Sequence, residues 1–492
     1  MSTKPVAHTS FGTVRGSIEH EVCVFRGVPY AASPVGDLRF AAPQPPKAWA
    51  GELSATANGP IPPQAGSRLS AAMGDFNLPQ DEDCLTLTIS TPAPDARKRP
   101  VLIWLHGGAF WTGAGSLDWY SGIPMTKHGD VVVVGVNHRL GALGFMCLDG
   151  VSKPNLGILD QFAALDWVSR EIEAFGGDPD NITIVGQSAG AFSILAMLAN
   201  KPVRRQFKRA IIQSAPFGRS IRSLAEARAI GQAVQAQLGV STLQQWHDAA
   251  PKDIVPAQVA VAKSLAGFCQ TTPPFMPVAD HELIGDNLTG TAAVGALECD
   301  VMVGYTRDEM AAFFAIDEKV INASEADVLG VFQRFFGADA ADALDEYRQR
   351  LQEPNAQNVL SELMGDASFG FGAHDFAQRL HGLGKSAWMY RFDWRAPNNR
   401  FGACHCSELP FMFDTIGDWM PPMSQGGDLQ QMKHLAAQMR DAWIAFARHG
   451  DPNHANLPAW SRYEDKRQTM LFDNECKLVD DPAGLDRWKY WP

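Results

Sequence analysis

The sequence predicts an α/β protein with a large, mostly parallel β-sheet that helices cover on both faces. Apolar runs of strand length recur along the 492 residues, and helical segments separate several of them, which is the order typical of parallel sheets. No repeat, low-complexity tract or long linker divides the chain, so we expect residues 1–492 to form a single domain. The predicted strands are Val101–Leu105, Val131–Val136, Ile182–Val185, Ala210–Gln213, Val301–Gly304 and Ala387–Phe392.

Two helices are especially clear in the sequence. Apolar residues recur every three or four positions from 158 to 175, and Gly176 follows where a C-terminal cap belongs. A second amphipathic pattern predicts a helix over 428–448. The segments 218–270 and 311–385 are helical with weaker periodicity, and we expect them to cap one edge of the sheet as insertions.

Composition excludes several classes of protein. The formal net charge is −12, and basic residues form only short isolated runs such as Arg97-Lys98-Arg99, so we expect no nucleic-acid partner. No window of about 18 apolar residues occurs, so no membrane-spanning helix is predicted. The eight cysteines are scattered without the spacing of a disulfide framework, which is typical of reduced thiols. We therefore expect a cytoplasmic protein.

The pentapeptide Gly186-Gln187-Ser188-Ala189-Gly190 lies between an apolar strand and a helix rich in small residues. This context is typical of a nucleophile elbow, a tight strand-to-helix turn that holds a serine hydroxyl out of the backbone. A Gly-x-Ser-x-Gly pattern also occurs by chance as a flexible turn. The candidate nucleophile is Ser188.

A second element upstream makes a chance match less credible. The predicted strand Val101–Leu105 ends in His106-Gly107-Gly108-Ala109-Phe110, which matches the glycine-rich loop that supplies backbone amides to the oxyanion hole of serine hydrolases. By contrast, Gly113-Ala114-Gly115 fails as a dinucleotide-binding motif, because Asp118 stands where the third glycine belongs.

A nucleophilic serine needs a histidine to take its proton and an acid to orient that histidine. In α/β-hydrolases these residues follow the serine in the order acid, histidine. His405 follows the last predicted strand and its loop, the position expected for the base. Glu309 and the adjacent Asp308 both follow the Val301–Gly304 strand, and spacing alone does not separate the two acids.

Several long motifs in order resemble the type-B carboxylesterase family, which includes the cholinesterases. The resemblance covers nearly the whole chain and implies the α/β-hydrolase fold. It is carried by four segments: Phe25–Phe40 (FRGVPYAASPVGDLRF), Glu82–Leu85 (EDCL), Asn137–Phe145 (NHRLGALGF) and Asn155–Gly190.

The resemblance assigns roles to residues of this sequence. It implies Ser188 as nucleophile, His405 as base and Glu309, rather than Asp308, as the acid. The oxyanion hole would use the backbone amides of Gly108, Ala109 and Ala189, and Gly107 would let that loop come close.

Further residues are assigned supporting roles by the same resemblance. Ser214 resembles the family's second buried serine, which supports the site through hydrogen bonds. Arg39 with Glu82, and Arg139 with Asp160, resemble its two structural ion pairs.

Departures from the family pattern concern the substrate. Many members carry Glu where Gln187 stands, so this site lacks a negative charge beside the nucleophile, and we expect Gln187 to face the bound substrate. Gly74 occupies the position of the tryptophan that binds quaternary ammonium in cholinesterases. We therefore expect choline esters to be poor substrates and neutral short-chain or aryl esters to be good ones.

The sequence thus predicts a serine hydrolase that cleaves carboxylic esters through an acyl-enzyme, without metal or cofactor. Cys404 and Cys406 flank His405, but their spacing and the lack of nearby ligands argue against a zinc site. A carbamate or amide hydrolase would use the same residues, and residues 55–80 show little of a lipase lid. The family's catalytically silent adhesion proteins have lost triad members, whereas this chain keeps all three. We expect a monomer acting on a small-molecule ester.

Overall fold

An eleven-stranded sheet forms the centre of the protein in the computed structural model, which describes residues 4–491. Two small sheets of three and two strands accompany it within this range. The strands β1 to β16 are Val6–Thr9, Gly12–Arg15, Ser17–Glu19, Val22–Pro29, Glu52–Ser54, Thr86–Thr91, Arg99–Leu105, Val132–Val136, Gly177–Gln187, Arg209–Gln213, Arg222–Ser223, Val278–Ala279, Asp300–Thr306, Trp388–Phe392, Gln468–Phe472 and Lys477–Asp480.

The large sheet runs in the order β16-β15-β14-β13-β10-β9-β7-β8-β6-β4-β3. From β15 to β8 all neighbours are parallel, whereas β16 on one side and β6, β4 and β3 on the other pair antiparallel. The prediction of a mostly parallel sheet is confirmed, and all six predicted strands belong to its parallel part. Because parallel strands share a direction, the residues that follow them meet at one edge.

The helices α1 to α18 connect and cover these strands. Most of them follow parallel strands, as right-handed crossovers require. Their bounds are Ser70–Met73, Ile123–Gly129, Gly141–Phe145, Leu156–Glu171, Ala189–Ala199, Lys201–Arg204, Leu224–Leu238, Leu243–Asp248, Pro251–Leu265, Leu288–Gly295, Ala311–Phe314, Glu318–Ile321, Glu325–Phe336, Ala340–Arg350, Ala356–Gly365, Phe371–Gly382, Leu409–Met412 and Leu429–His449.

The core lies on both faces of the sheet. Successive side chains of a strand point to opposite faces, so Ile103 packs in one apolar cluster, and its neighbours Leu102 and Trp104 pack in the other. Helix α4 packs on the first face and continues into a 3-10 turn, Ile172–Phe175, which ends at Gly176. The φ of +80° at Gly176 lies in the left-handed region that favours glycine. Helix α18 covers the second face and is capped by Asp428.

The segments 218–270 and 311–385 contain helices α7 to α9 and α11 to α16, as predicted. Part of the second segment has an apolar cluster of its own, centred on Phe332, Leu360 and Tyr347. A cavity of about 1140 Å³ lies between these two segments and the ends of the parallel strands.

Two buried ion pairs fix the N-terminal part of the chain, as the resemblance implied. Arg39 Nε donates to Glu82 Oε1 at 2.7 Å, and Arg139 Nε donates to Asp160 Oδ2 at 2.9 Å. Within residues 4–491, no helix is long and apolar enough to cross a membrane.

Candidate active site

Ser188 occupies the turn between β9 and α5, where the sequence predicts it. Its φ of +55° and ψ of −118° lie in a region that residues with a side chain rarely adopt. Such backbone strain is typical of a nucleophile elbow. The backbone is held there because Ser188 N donates to Gln213 O of the neighbouring strand at 2.9 Å. Gly190 allows the close packing, since a Cβ on it would lie 1.9 Å from Leu105 O.

The loop after β7 lies directly against this elbow. A Cβ on Gly107 would lie 2.4 Å from Gln187 Oε1 and 3.1 Å from Ser188 Cβ, so only glycine fits there. Among the described residues, no acceptor is bound by the amides of Gly108, Ala109 or Ala189. Three unpartnered donors beside Ser188 form an arrangement able to stabilise an oxyanion.

His405 and Glu309 form a buried pair at the same edge of the sheet. His405 Nδ1 donates to Glu309 Oε2 at 2.5 Å, and both residues are only 2% exposed. Glu309 is itself held in place, because its Oε1 accepts a hydrogen bond from Thr306 N at 2.9 Å. The imidazole ring packs on Phe369 and Phe313. This carboxylate therefore fixes both the ring orientation and the tautomer of His405.

Asp308 points in a different direction from Glu309. Its Oδ2 accepts from Ala403 N at 2.8 Å, and its own N donates to Ala403 O at 2.9 Å. It also pairs with Arg307, and this guanidinium helps to hold the pKa of Asp308 below its ordinary value against the effect of burial. Asp308 thus ties the loop that carries His405 to the end of β13, without contacting the imidazole.

Gln187 is fully buried, and its side-chain amide lies against the imidazole of His405. Gln187 Nε2 is 3.1 Å from His405 Nε2, the nitrogen that faces away from Glu309. Within the described residues, Ser188 makes no hydrogen bond to His405, although both side chains line the same cavity. An amide therefore occupies the imidazole nitrogen to which a serine nucleophile would donate its proton. The hydrogen bonds used in catalysis often form only with substrate bound.

A buried polar group behind His405 escaped the sequence interpretation. Glu408 is fully buried, and its Oε1 accepts from Gln213 Nε2 at 3.1 Å. Burial, together with the nearby Glu309 charge, raises the pKa of Glu408 to about 8. The hydroxyl of Ser214, the residue after Gln213, is buried and has no hydrogen-bond partner among the described residues. The hydrogen bonds expected of Ser214 thus stay a prediction.

The thiols flanking His405 are buried, and burial raises the pKa of both Cys404 and Cys406. All eight cysteines are free thiols, including Cys84. Within residues 4–491, no group of three or more His, Cys, Asp or Glu side chains is placed to hold a metal ion.

Comparisons with known proteins identify the family of the whole chain. The sequence model of the Carboxylesterase family matches residues 3–491. The chain is 36% identical to phenmedipham hydrolase of Pseudarthrobacter oxydans, with 99% of each chain covered. It is 35% identical to para-nitrobenzyl esterase of Bacillus subtilis, covering 100% of this chain and 99% of that protein. The structure of a Geobacillus stearothermophilus carboxylesterase superposes with a TM-score of 0.88 at 34% identity, covering 99% of this chain and 100% of the other.

These similarities confirm the α/β-hydrolase fold and ester hydrolysis as the reaction. The chain belongs to the carboxylesterase family and is a carboxylic ester hydrolase.

Proposed function

We propose that this enzyme cleaves esters with Ser188 as nucleophile, His405 as general base and Glu309 as the orienting acid. The observation that supports this proposal most strongly is the 2.5 Å contact between Glu309 and His405. His405 and Ser188 line the same cavity. The unpartnered amides of Gly108, Ala109 and Ala189 would bind the oxyanion.

The reaction would proceed in two steps. Ser188 Oγ attacks the ester carbonyl carbon while His405 Nε2 takes its proton, and the same proton then passes to the departing alcohol. Water, deprotonated by His405, attacks the resulting acyl-enzyme and releases the acid. For the first step Gln187 has to yield its contact with His405 Nε2 to the serine hydroxyl.

The proposal extends to the protein as a whole. We expect residues 1–492 to act as one domain on a small-molecule ester, without metal or cofactor. The free thiols support a reducing, cytoplasmic setting. Cationic esters should be poor substrates, because no carboxylate stands beside the nucleophile at position 187.

Replacing Ser188 by Ala tests the assignment. We expect kcat on 4-nitrophenyl butyrate to fall by about 10⁴ to 10⁶, since the nucleophile is lost while the fold is kept. Wild type should gain one fluorophosphonate adduct on Ser188 by mass spectrometry, and the variant none.

The matched control is Ser169→Ala, on the outer part of α4, which should keep full activity and labelling. Circular dichroism must show the same melting temperature for both variants. Activity of Ser188→Ala within tenfold of wild type would contradict the assignment. A carbamate and an anilide with the same aryl group should be compared with the ester in wild type.

A further inference from the structure

The cavity in front of Ser188 and His405 is strongly basic, although the chain as a whole has a formal net charge of −12. Of the side chains that the structure describes, five cationic ones line it against one anionic one. They are Arg68, Arg219, Arg222, Lys263 and Arg334, with Glu226 as the acid.

Two of these arginines lie one aromatic ring away from the base. The Arg219 guanidinium is 6.0 Å from the centroid of the Phe369 ring, and that ring is 4.8 Å from the His405 ring. Arg68 is likewise 6.0 Å from the centroid of Phe313, whose ring is 5.6 Å from the His405 ring. The positive charges therefore stand near the reacting centre but do not touch it.

The position of Arg219 is built into the backbone. Gly218 N donates to Ser368 O at 3.2 Å, and a Cβ on Gly218 would lie 1.6 Å from Ala367 O. This close approach fixes the segment after β10 against the turn that carries Phe369. The guanidinium is consequently held at the cavity wall and is not a freely moving surface group.

The arginines converge on one loop, where they find only neutral partners. Arg219 Nη2 donates to Thr271 Oγ1 at 3.1 Å, Arg222 Nη2 donates to Pro273 O at 2.9 Å, and Arg68 Nη1 approaches Thr271 O at 3.5 Å. We call Arg68, Arg219 and Arg222 the arginine cluster.

No carboxylate compensates the arginine cluster at contact distance. Within residues 4–491, the three arginines form no salt bridge to an Asp or Glu, and their hydrogen bonds go to Thr271 and Pro273. Asp317 and Glu226 act on Arg68 and Arg222 only at longer range. The Nε atoms of Arg219 and Arg222 are buried without a hydrogen-bond partner. Burial and the neighbouring Arg68 charge lower the pKa of Arg219 to about 10, so it stays charged at neutral pH.

Guanidinium groups without a carboxylate partner at the wall of a cavity favour an anionic ligand. A guanidinium presents parallel N–H donors that match the two oxygens of a carboxylate, and the attraction is stronger where water is excluded. Among residues 4–491, no carboxylate contacts the arginine cluster. The substrate is the molecule that enters this cavity.

We propose that the arginine cluster binds a carboxylate carried by the ester substrate, several bonds away from the scissile carbonyl. This inference rests on the proposed function and names its substrate class. It adds to the expected neutral esters a preference for esters with a remote carboxylate, and it agrees with the expected weakness of cationic esters.

The test uses pairs of esters in which one member carries a free carboxylate and the other carries the methyl ester of that carboxylate. On the acyl side, mono-4-nitrophenyl adipate is compared with its methyl ester, and on the alcohol side 4-acetoxybenzoate is compared with methyl 4-acetoxybenzoate. We expect wild type to prefer the anionic member of at least one pair by about tenfold in kcat/KM, and the preference to fall with added salt.

Arg219→Gln and Arg68→Gln should each lower that preference about fivefold or more, since one cation is removed. Arg219→Lys keeps the charge and should restore part of the preference. Arg379→Gln, an exposed arginine of α16 paired with Asp375, is the control and should leave both kcat/KM values unchanged.

A wild-type enzyme that favours the neutral member of both pairs, or arginine variants that leave the ratio unchanged, would overturn this inference. Either result would leave the proposed function intact as long as the neutral esters are cleaved and Ser188→Ala is inactive. Cleavage of neutral esters by Ser188→Ala would instead refute the proposed function.

Discussion

The two adjacent acids after β13 have different tasks, and their amide variants should separate them. Glu309→Gln should lower kcat by about 10³ to 10⁴, because a neutral amide no longer fixes the tautomer of His405 or stabilises its protonated form. Asp308→Asn should lower kcat by less than about tenfold and mainly lower the melting temperature, since Asp308 ties the loop at Ala403. Steady-state kinetics and thermal melts of both variants provide the measurement.

An inactive Asp308→Asn variant with an unchanged melting temperature would show that the acid is misassigned. Residue chemistry alone left both acids possible at this position. The hydrogen bonds distinguish them, because only one carboxylate reaches the imidazole.

Gln187→Glu should change both pH dependence and substrate preference. A carboxylate 3.1 Å from His405 Nε2 would stabilise the protonated imidazole. The midpoint of the acid limb of the pH–activity profile should therefore move to higher pH by about one unit. The ratio of butyrylthiocholine to 4-nitrophenyl butyrate turnover should rise about tenfold. Gln244→Glu, on the exposed side of α8, controls for the added charge. An unchanged pH profile and ratio would mean that residue 187 acts on neither the base nor the alcohol group.

The start of α5 packs against the end of β7 through close backbone contact at the elbow. Gly190→Ala should lower the melting temperature by more than about 5 °C or prevent soluble expression, because its Cβ would overlap Leu105 O. Gly382→Ala at the end of α16 meets nothing within 4 Å and should be neutral or slightly stabilising. Thermal unfolding followed by circular dichroism compares them. Equal melting temperatures would contradict this account of the elbow.

The predictability of elements follows burial. The central parallel strands are continuous apolar runs, as in β8 with all five residues buried, so the sequence predicts them. The edge strands are mixed in polarity, as in β16 with its exposed Lys477 and Asp480, and give no such run. Ser188 is predicted from a local motif, whereas Glu309 and His405 are predicted from their positions after two strands together with the family resemblance. Arg219 and Phe369 come together only through long-range packing, so no sequence spacing marks them as neighbours.

The free energy of unfolding of the whole molecule should depend on pH through the buried Glu408. Its pKa is raised from 4.5 to about 8, so the folded state keeps a proton that the unfolded chain loses. The stabilising effect of this proton is complete below pH 4.5, and the free energy of unfolding falls as pH rises toward 8. Glu408→Gln does not lose stability in this way. The difference between its melting temperature and that of wild type should therefore increase by a few degrees between pH 5 and pH 8.

Differential scanning calorimetry at several pH values measures this gain, with Glu353→Gln in an exposed loop as the control. A difference between Glu408→Gln and wild type that stays constant with pH would show that Glu408 is ionised in the folded protein throughout this range.

Seven of the eight free thiols are buried and Cys23 is half-buried, so the folded enzyme exposes little sulfur to an alkylating reagent. Modification of the buried thiols then requires opening, and its rate reports how often each region opens. Cys404 and Cys406 report on the loop that carries His405, while Cys299, just before β13, reports on the sheet. Peptide-level mass spectrometry of alkylation would thus time the opening of this loop separately from unfolding of the sheet, with no engineered probe.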